Sequence, residues 1–294
     1  MVMVESAATE VLCRVIEERD LEGVVDCLRR GFPERPRAFW TDGLARLARR
    51  PAIDDLPRFG HLLAVGDRIV GVLLQIVSQR DGEAGAIRRC NMAGWCVDPD
   101  YRGYGHPLHA RAISRRDVVY FTVTPAPFTL KTLTAVGYRR YSEGQVIFAP
   151  LLSLGESGAR VVDYAPGRPE AAQLSPSDAR LVADHAAFGC YAFIGLADGE
   201  ARPLIFQPRK IWRDLIPCVH LIYCREPADL ARFGPGYGRR LAQRGRLFVV
   251  ADATGPIPGL AGHYFAGREP RYYKGPLSPS PCDLADTELV VFGR

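Results

Sequence analysis

The segment Asp98-Pro-Asp-Tyr-Arg102-Gly103-Tyr104-Gly105-His106-Pro107 follows an apolar run ending in Trp95-Cys96-Val97 and leads into a stretch of helical character. A glycine-bearing turn between a strand and a helix N-terminus suits anion binding. Glycines let the backbone approach a ligand, and the unpaired amides of the first helical turn direct partial positive charge at it. Pro107 has no N–H and is well shaped for N1, so it strengthens the helix start and removes one donor from the cradle. His106-x-x-His109 sets two imidazoles on one helix face, but no third ligand accompanies them; they read as polar turn and helix surface, and no metal is expected. Cys96 lies in an apolar strand with no activating base nearby in sequence, which makes it a core thiol.

Two further groupings carry polar chemistry. His263-Tyr264-Phe265, Arg271-Tyr-Tyr-Lys274 and Asp283-Leu-Ala-Asp286-Thr-Glu288 form a dense polar and aromatic tail, suited either to lining a pocket between two units or to loop packing. Gly234-Pro-Gly236-Tyr-Gly238 echoes the first glycine turn and is a rival phosphate loop.

The elements that must position these residues follow from periodicity. A strand is expected over Val11–Ile16, a helix over Glu18–Arg30 closing on Gly31, and a second helix over Arg37–Arg49. His61–Val65 and Arg68–Val77 flank a Gly66-Asp67 hairpin turn, followed by strand Arg88–Val97, a helix to about Arg116, strand Val118–Val123, helix Phe128–Ala135 and a last pair of strands ending near Pro150. The composition then shifts to Gly, Ser, Pro and Glu. This gives residues 1–152 as one unit, 153–175 as linker and 176–294 as a second, degenerate unit, its first helix capped by Ser175 with Pro176 at N1. Strands are expected in this unit at Tyr191–Leu196, Pro203–Phe206, Cys218–Cys224, Leu247–Asp252, Gly262–Phe265 and Leu289–Phe292, in an order suggesting a shortened copy of the first.

The 294 residues, 47% hydrophobic and 24% charged, allow two globular cores and exclude a disordered, collagen-like or coiled-coil chain. The net charge of +5 comes from scattered arginines with no long basic block, which argues against nucleic-acid binding. Eight cysteines with no C-x-x-C pair fit buried thiols in a reducing cytoplasm. No apolar run approaches the length of a membrane span, and the acidic N-terminus does not read as a signal peptide.

The element order of the first half, with Val97-Asp-Pro-Asp-Tyr-Arg102-Gly-Tyr-Gly105 and Ala135-Val-Gly137-Tyr138, resembles the GNAT superfamily of acyl-CoA-dependent N-acyltransferases over residues 11–150. The resemblance implies an α/β fold of two tandem GNAT-like units, each a mixed, mostly antiparallel sheet flanked by helices. It implies binding of acetyl-CoA or another acyl-CoA by Trp95, Cys96 and Val97 at the thioester and by Arg102, Gly103, Tyr104, Gly105 and His106 at the pyrophosphate. Acyl transfer would go by direct attack of a small-molecule amine, and a homodimer is admitted. The family's central motif departs here at its last position, where Pro107 stands. Leu133 occupies the place of the usual tyrosine general acid, Ala126 that of a common asparagine, and the Arg88–Val97 strand holds no Asp, Glu or His for a base. Glu34, in the loop Gly31-Phe-Pro-Glu-Arg-Pro36, falls where such proteins build the acceptor site and is the expected catalytic residue. The alternative is a non-catalytic GNAT-like protein that binds acyl-CoA or a partner.

Overall fold

A computed structural model describes residues 10–82, 85–212 and 215–293. The first half runs β1 (Leu12–Val15), α1 (Leu21–Gly31), α2 (Arg37–Ala48), β2 (Gly60–Val65), β3 (Arg68–Gly82), β4 (Gly85–Val97), α3 (Gly105–Ala112), β5 (Val118–Thr122), α4 (Leu130–Ala135) and β6 (Arg139–Phe148). The second half runs β7 (Arg160–Asp163), α5 (Pro176–Ala187), β8 (Tyr191–Ala197), β9 (Glu200–Ile211), β10 (Ile216–Cys224), α6 (Ala228–Arg232), α7 (Gly234–Ala242), β11 (Val249–Ala253), β12 (Gly262–Lys274) and α8 (Glu288–Val291). Among the described residues, twelve strands form one mixed sheet in the order β1-β2-β3-β4-β5-β12-β6-β11-β10-β9-β8-β7.

That order reads alike from both edges. Strands β1 to β5 on one side are matched by β7 to β11 on the other, which is the tandem arrangement, and β12 and β6 meet in the middle. Each half has received the other's last strand. β12 pairs with β5 through Tyr272↔Thr122 and with β6 through Gly262↔Phe148 to Tyr273↔Arg139, while β6 pairs with β11 through Val249↔Phe148 to Ala253↔Gly144. The strand pair expected before Pro150 is therefore a single strand. Its neighbour comes from more than a hundred residues downstream, a pairing that periodicity does not encode.

The long apolar run of β3 reflects burial on both faces. Val72, Leu74 and Ile76 pack with Val24, Leu28 and Leu44 of α1 and α2, whereas Val70, Leu73 and Val77 pack with Leu108 and Ala112 of α3 and Leu133 of α4. The Gly66 turn holds φ +57, and its counterpart Asp198-Gly199 holds +51 and +76, conformations that glycine and aspartate tolerate best. Ser175 caps α5 by accepting from the Asp178 amide at 3.1 Å.

Three other expectations are corrected. Gly31 is not a left-handed cap; a Cβ there would lie 2.5 Å from Cys96 Cβ, so the glycine permits close packing of α1 on β4. The 153–175 stretch contains strand β7, whose Val161 and Val162 pair with Gly195 and Ile194 of β8. Leu289–Phe292 is mostly helix, not strand: with both sheet edges already formed by β1 and β7, this run has no ladder to join and packs as α8 beside α2.

The segment after β12 runs across the helical face and ties both halves. Asp283 pairs with Arg89, Asp286 pairs with Arg50 at 2.8 Å and Arg80 at 2.6 Å, and the Phe292 ring fills the space a Cβ on Gly43 would occupy. His185 of α5 anchors its middle. Its Nε2 accepts from the Asp286 amide at 3.1 Å and its Nδ1 donates to Leu181 O at 2.8 Å, so both nitrogens are satisfied in the neutral ring.

Two outcomes are expected. Residues 1–152 expressed alone should lack a cooperative melt, because β5 and β6 lose the strand between them, and co-expression with 153–294 should restore it; circular dichroism checks this. Burial lowers the His185 pKa from its ordinary 6.5, and lowers His61 likewise. The stabilisation from these neutral rings is complete above about pH 6.5 and is lost as the pH falls through the depressed folded values. The melting temperature should drop by a few degrees between about pH 7.5 and about pH 5.5, and less steeply in His185→Asn.

Candidate active site

β4 and β5 run parallel and paired only from Arg88↔Val118 to Asn91↔Phe121. Beyond Asn91 they part. β4 bulges there against β3: Ala93 opposes Leu74 and Cys96 opposes Val72, leaving Gly94 and Trp95 over Leu73. Gly94 sits at φ +52, where any Cβ would press on Leu28 and Leu74 at 3.1 Å, so the bulge depends on this glycine. The gap is held from behind by buried Asn91, which donates to Phe121 O at 3.3 Å and accepts from the Glu288 amide at 2.8 Å.

A cavity of about 860 Å³ occupies the gap. Met92 to Trp95 of β4 and Thr122 flank it; Phe32, Phe39 and Trp40 wall it on one face, and His109 and Leu133 on the other. The polar tail reaches it through Glu269, Pro270, Arg271, Glu288 and Phe292, so the second half builds part of a cavity lying mainly in the first. His263 and Phe265 contact each other on the exposed part of β12 and do not line it.

Three carboxylates stand in the lining. Glu269, at φ +45 in the β12 bulge, is held by Arg209 at 2.7 Å and Arg271 at 3.2 Å, and Glu288 accepts from Thr124 at 2.5 Å. Glu34 is exposed and has no hydrogen bond or ion pair among the described residues. Arg271, fully buried, is fixed by Asp252 at 2.6 and 3.3 Å. Burial alone would raise the Asp252 pKa, but Arg271 and His220 hold it below the usual carboxylate range. With Gln145 at 2.9 Å, this cluster fills the corresponding gap in the second half, where β10 and β11 pair only at Val219↔Val249 and His220↔Val250.

The two glycine turns differ in what covers them. α3 begins at Gly105, two residues earlier than expected, so Pro107 falls inside the first turn, where amides lack intrahelical partners anyway. Arg102, Gly103, Tyr104 and His106 are exposed. A Cβ on Gly103 would meet nothing within 4 Å, and one on Gly105 only Val97 and Trp95 side chains at 3.7 and 3.9 Å. In the second turn, Cβ atoms would lie 2.8 Å from Ser153 at Gly234, 2.5 Å from Val161 at Gly236 and 2.9 Å from Leu151 N at Gly238. The chain's own connection, Pro150 to Val161, is packed where a phosphate would have to sit.

Of the predicted residues, Trp95 and Glu34 line the cavity, while the side chain of Cys96 turns to α1, its Sγ 3.9 Å from Cys27 Sγ. The hydrogen-bonded Cys27 thiol and burial push Cys96 up, so it is not a poised nucleophile. Val97 packs with the α3 core beside Gly105. His109, read from sequence as helix surface, is instead buried in the wall, its ring stacked on Trp95 at 5.0 Å. The signal that could have revealed it is its spacing: it stands one helical turn beyond Gly105 on the face that Leu108 and Ala112 also bury.

No family model matches the chain, and no curated protein sequence gives a significant match. Solved structures do. A GCN5-related N-acetyltransferase from Anabaena variabilis superposes with TM-score 0.58 at 10% identity over 90% of this chain and 72% of its own, and one from Kribbella flavida with TM-score 0.55 at 17% over 90% and 70%. A GCN5-related glucosamine N-acetyltransferase region of a fungal multi-domain β-N-acetylglucosaminidase gives 0.57 at 12% over 92% of this chain and 38% of that one. The fold is that of the GNAT superfamily. In the GNAT frame, the expected position of the general acid is Leu133, a buried apolar side chain in the cavity wall. Ala126 lines the cavity between Pro125 and Pro127. Among the described residues no helix is long and apolar enough to cross a membrane.

The contrast between the turns gives a stability prediction. Gly236→Val should destabilise the protein by several kcal/mol through its clash with Val161, whereas Gly103→Val should leave the thermal midpoint nearly unchanged; thermal melts of the two variants check it.

Proposed function

We propose that this protein transfers an acyl group from acetyl-CoA or another acyl-CoA to a small-molecule amine by direct attack. The observation that carries the reading is the uncovered glycine turn at the start of α3, standing beside a cavity that opens where β4 leaves β5. The acyl-CoA supplies the activated acyl group. Its pyrophosphate would be held by the backbone from Arg102 to His106, where open space above Gly103 fits a ligand's close approach. Trp95, Cys96 and Val97 belong to the strand along which the thioester would lie.

The acceptor side consists of the aromatic rings of Phe32, Phe39, Trp40 and Phe292 with carboxylates Glu34, Glu269 and Glu288 among them. Such a surface favours a cationic amine on an apolar body. A neighbour of this fold is named for an amino sugar, also a small-molecule amine. Glu269 and Glu288 are engaged by Arg271, Arg209 and Thr124, which leaves Glu34 as the carboxylate able to take a proton from the amine nitrogen. Six of the eight cysteines are buried, which supports core thiols in a reducing cytoplasm.

Calorimetric titration with acetyl-CoA, CoA and a longer acyl-CoA tests the reading. Binding is expected, and Gly105→Val should weaken it at least about tenfold while still folding, since a Cβ at this position meets the Val97 and Trp95 side chains only at contact distance. In an amine screen, Glu34→Gln should reduce turnover by about 10²–10⁴-fold with acyl-CoA affinity retained. Leu133 in the wall where a general acid is expected favours a second reading, a non-catalytic acyl-CoA-binding or partner-binding protein. Tight CoA binding with no turnover across the amine panel would establish that one.

A further inference from the structure

A histidine kept in a protein core normally has both ring nitrogens satisfied, because an unmet buried polar group costs about 1–3 kcal/mol. His185 meets this rule, with Leu181 O on one side and the Asp286 amide on the other. His109 does not. It is 1% exposed, its Nε2 lies 3.4 Å from the Tyr138 hydroxyl, and its Nδ1 has no partner among the described residues. Tyr138 is itself buried, and among the described residues its hydroxyl hydrogen bonds to this imidazole alone. A buried hydroxyl needs an acceptor for its proton, so Nε2 accepts and the ring proton resides on Nδ1.

That donor belongs to a residue of the cavity wall. His109 is four residues past Gly105, about 6 Å further along α3, which sets it between the glycine turn and the cavity it lines. Trp95 stacks on the ring face at 24° and Tyr138 lies 5.7 Å away, an arrangement that fixes the imidazole plane. Burial, with His106 and Lys274 nearby, lowers its pKa to about 4, so the ring is neutral at physiological pH and donates without giving up a proton.

We propose that His109 binds the thioester arm of acyl-CoA, its Nδ1–H donating to a carbonyl oxygen of that arm; this rests on the acyl-CoA reading above. No bond is made or broken in this role. It differs from the roles of the backbone turn and of Glu34 in being a side-chain contact between the two.

Two measurements test it, using acetyl-CoA as the probe and the full chain. Nitrogen NMR of the free protein should find the His109 proton on Nδ1; finding it on Nε2 overturns the assignment. Calorimetry should show acetyl-CoA binding weakened about tenfold in His109→Phe and restored to within about threefold in His109→Asn, whose amide nitrogen takes the place of Nδ1. His109→Gln, which mimics Nε2, should not restore it. Equal affinity in all four proteins, equal loss in all three variants, or rescue by Gln alone would each overturn the proposal while leaving acyl-CoA binding established. Failure of the wild type to bind acetyl-CoA would remove the acyl-CoA reading itself, and this proposal with it. Should His109→Phe not fold, the Asn and Gln pair carries the same discrimination.

Discussion

The antiparallel ladder between β6 and β12 is the constraint on which the rest of the molecule depends. Each strand completes the half that it does not belong to in sequence, so neither half has a full sheet without the other. Backbone groups left unpaired in a sheet interior are costly, which makes the exchange a strong coupling between the halves. The ladder also brings chemistry with it. The β12 bulge that carries Glu269, Pro270 and Arg271 into the first half's cavity exists because β12 lies between β5 and β6.

Two halves of similar topology have thus taken different parts. In the first, the strands part into an open cavity beside an uncovered glycine turn. In the second, Asp252, Arg271, Gln145 and His220 fill the gap, and the connection from Pro150 to Val161 covers the turn. A buried ion pair of this kind contributes little net stability but is expensive to break, since either partner alone would be an uncompensated buried charge. Its effect here is to fix the position of Arg271 at the cavity wall. The C-terminal segment does the same from the other face, with Asp283 and Asp286 clamped by arginines and Glu288 bound to Asn91.

Much of the first half was legible because its signals are local. Hairpin glycines, alternating strands and the strand–turn–helix around Arg102 to Pro107 are short-range patterns, and they placed β2, β3, β4, α3 and β5 within a few residues. The element order that resembles the GNAT superfamily was readable for the same reason. The partner of β6, the strand hidden in the connection and the helical end at Glu288–Val291 were not, because each is decided by which sheet edge remains free. His109 was misjudged as surface because the two histidines at i and i+3 were read as a pair, although His109 shares the spacing of Leu108 and Ala112 and packs against Trp95 and Tyr138.

The sequence by itself determined the paired glycine turns and Ser175 as a cap, which follow from residue type and near-neighbour spacing, whereas Glu34 and Trp95 were singled out through the family resemblance of the element order. Only the tertiary structure decided which glycine turn is open, because what covers Gly234 to Gly238 is a segment some eighty residues away. It likewise decided that Arg271 and Glu288 share a wall with Glu34, since strand exchange and a buried C-terminal segment close distances that no local pattern records.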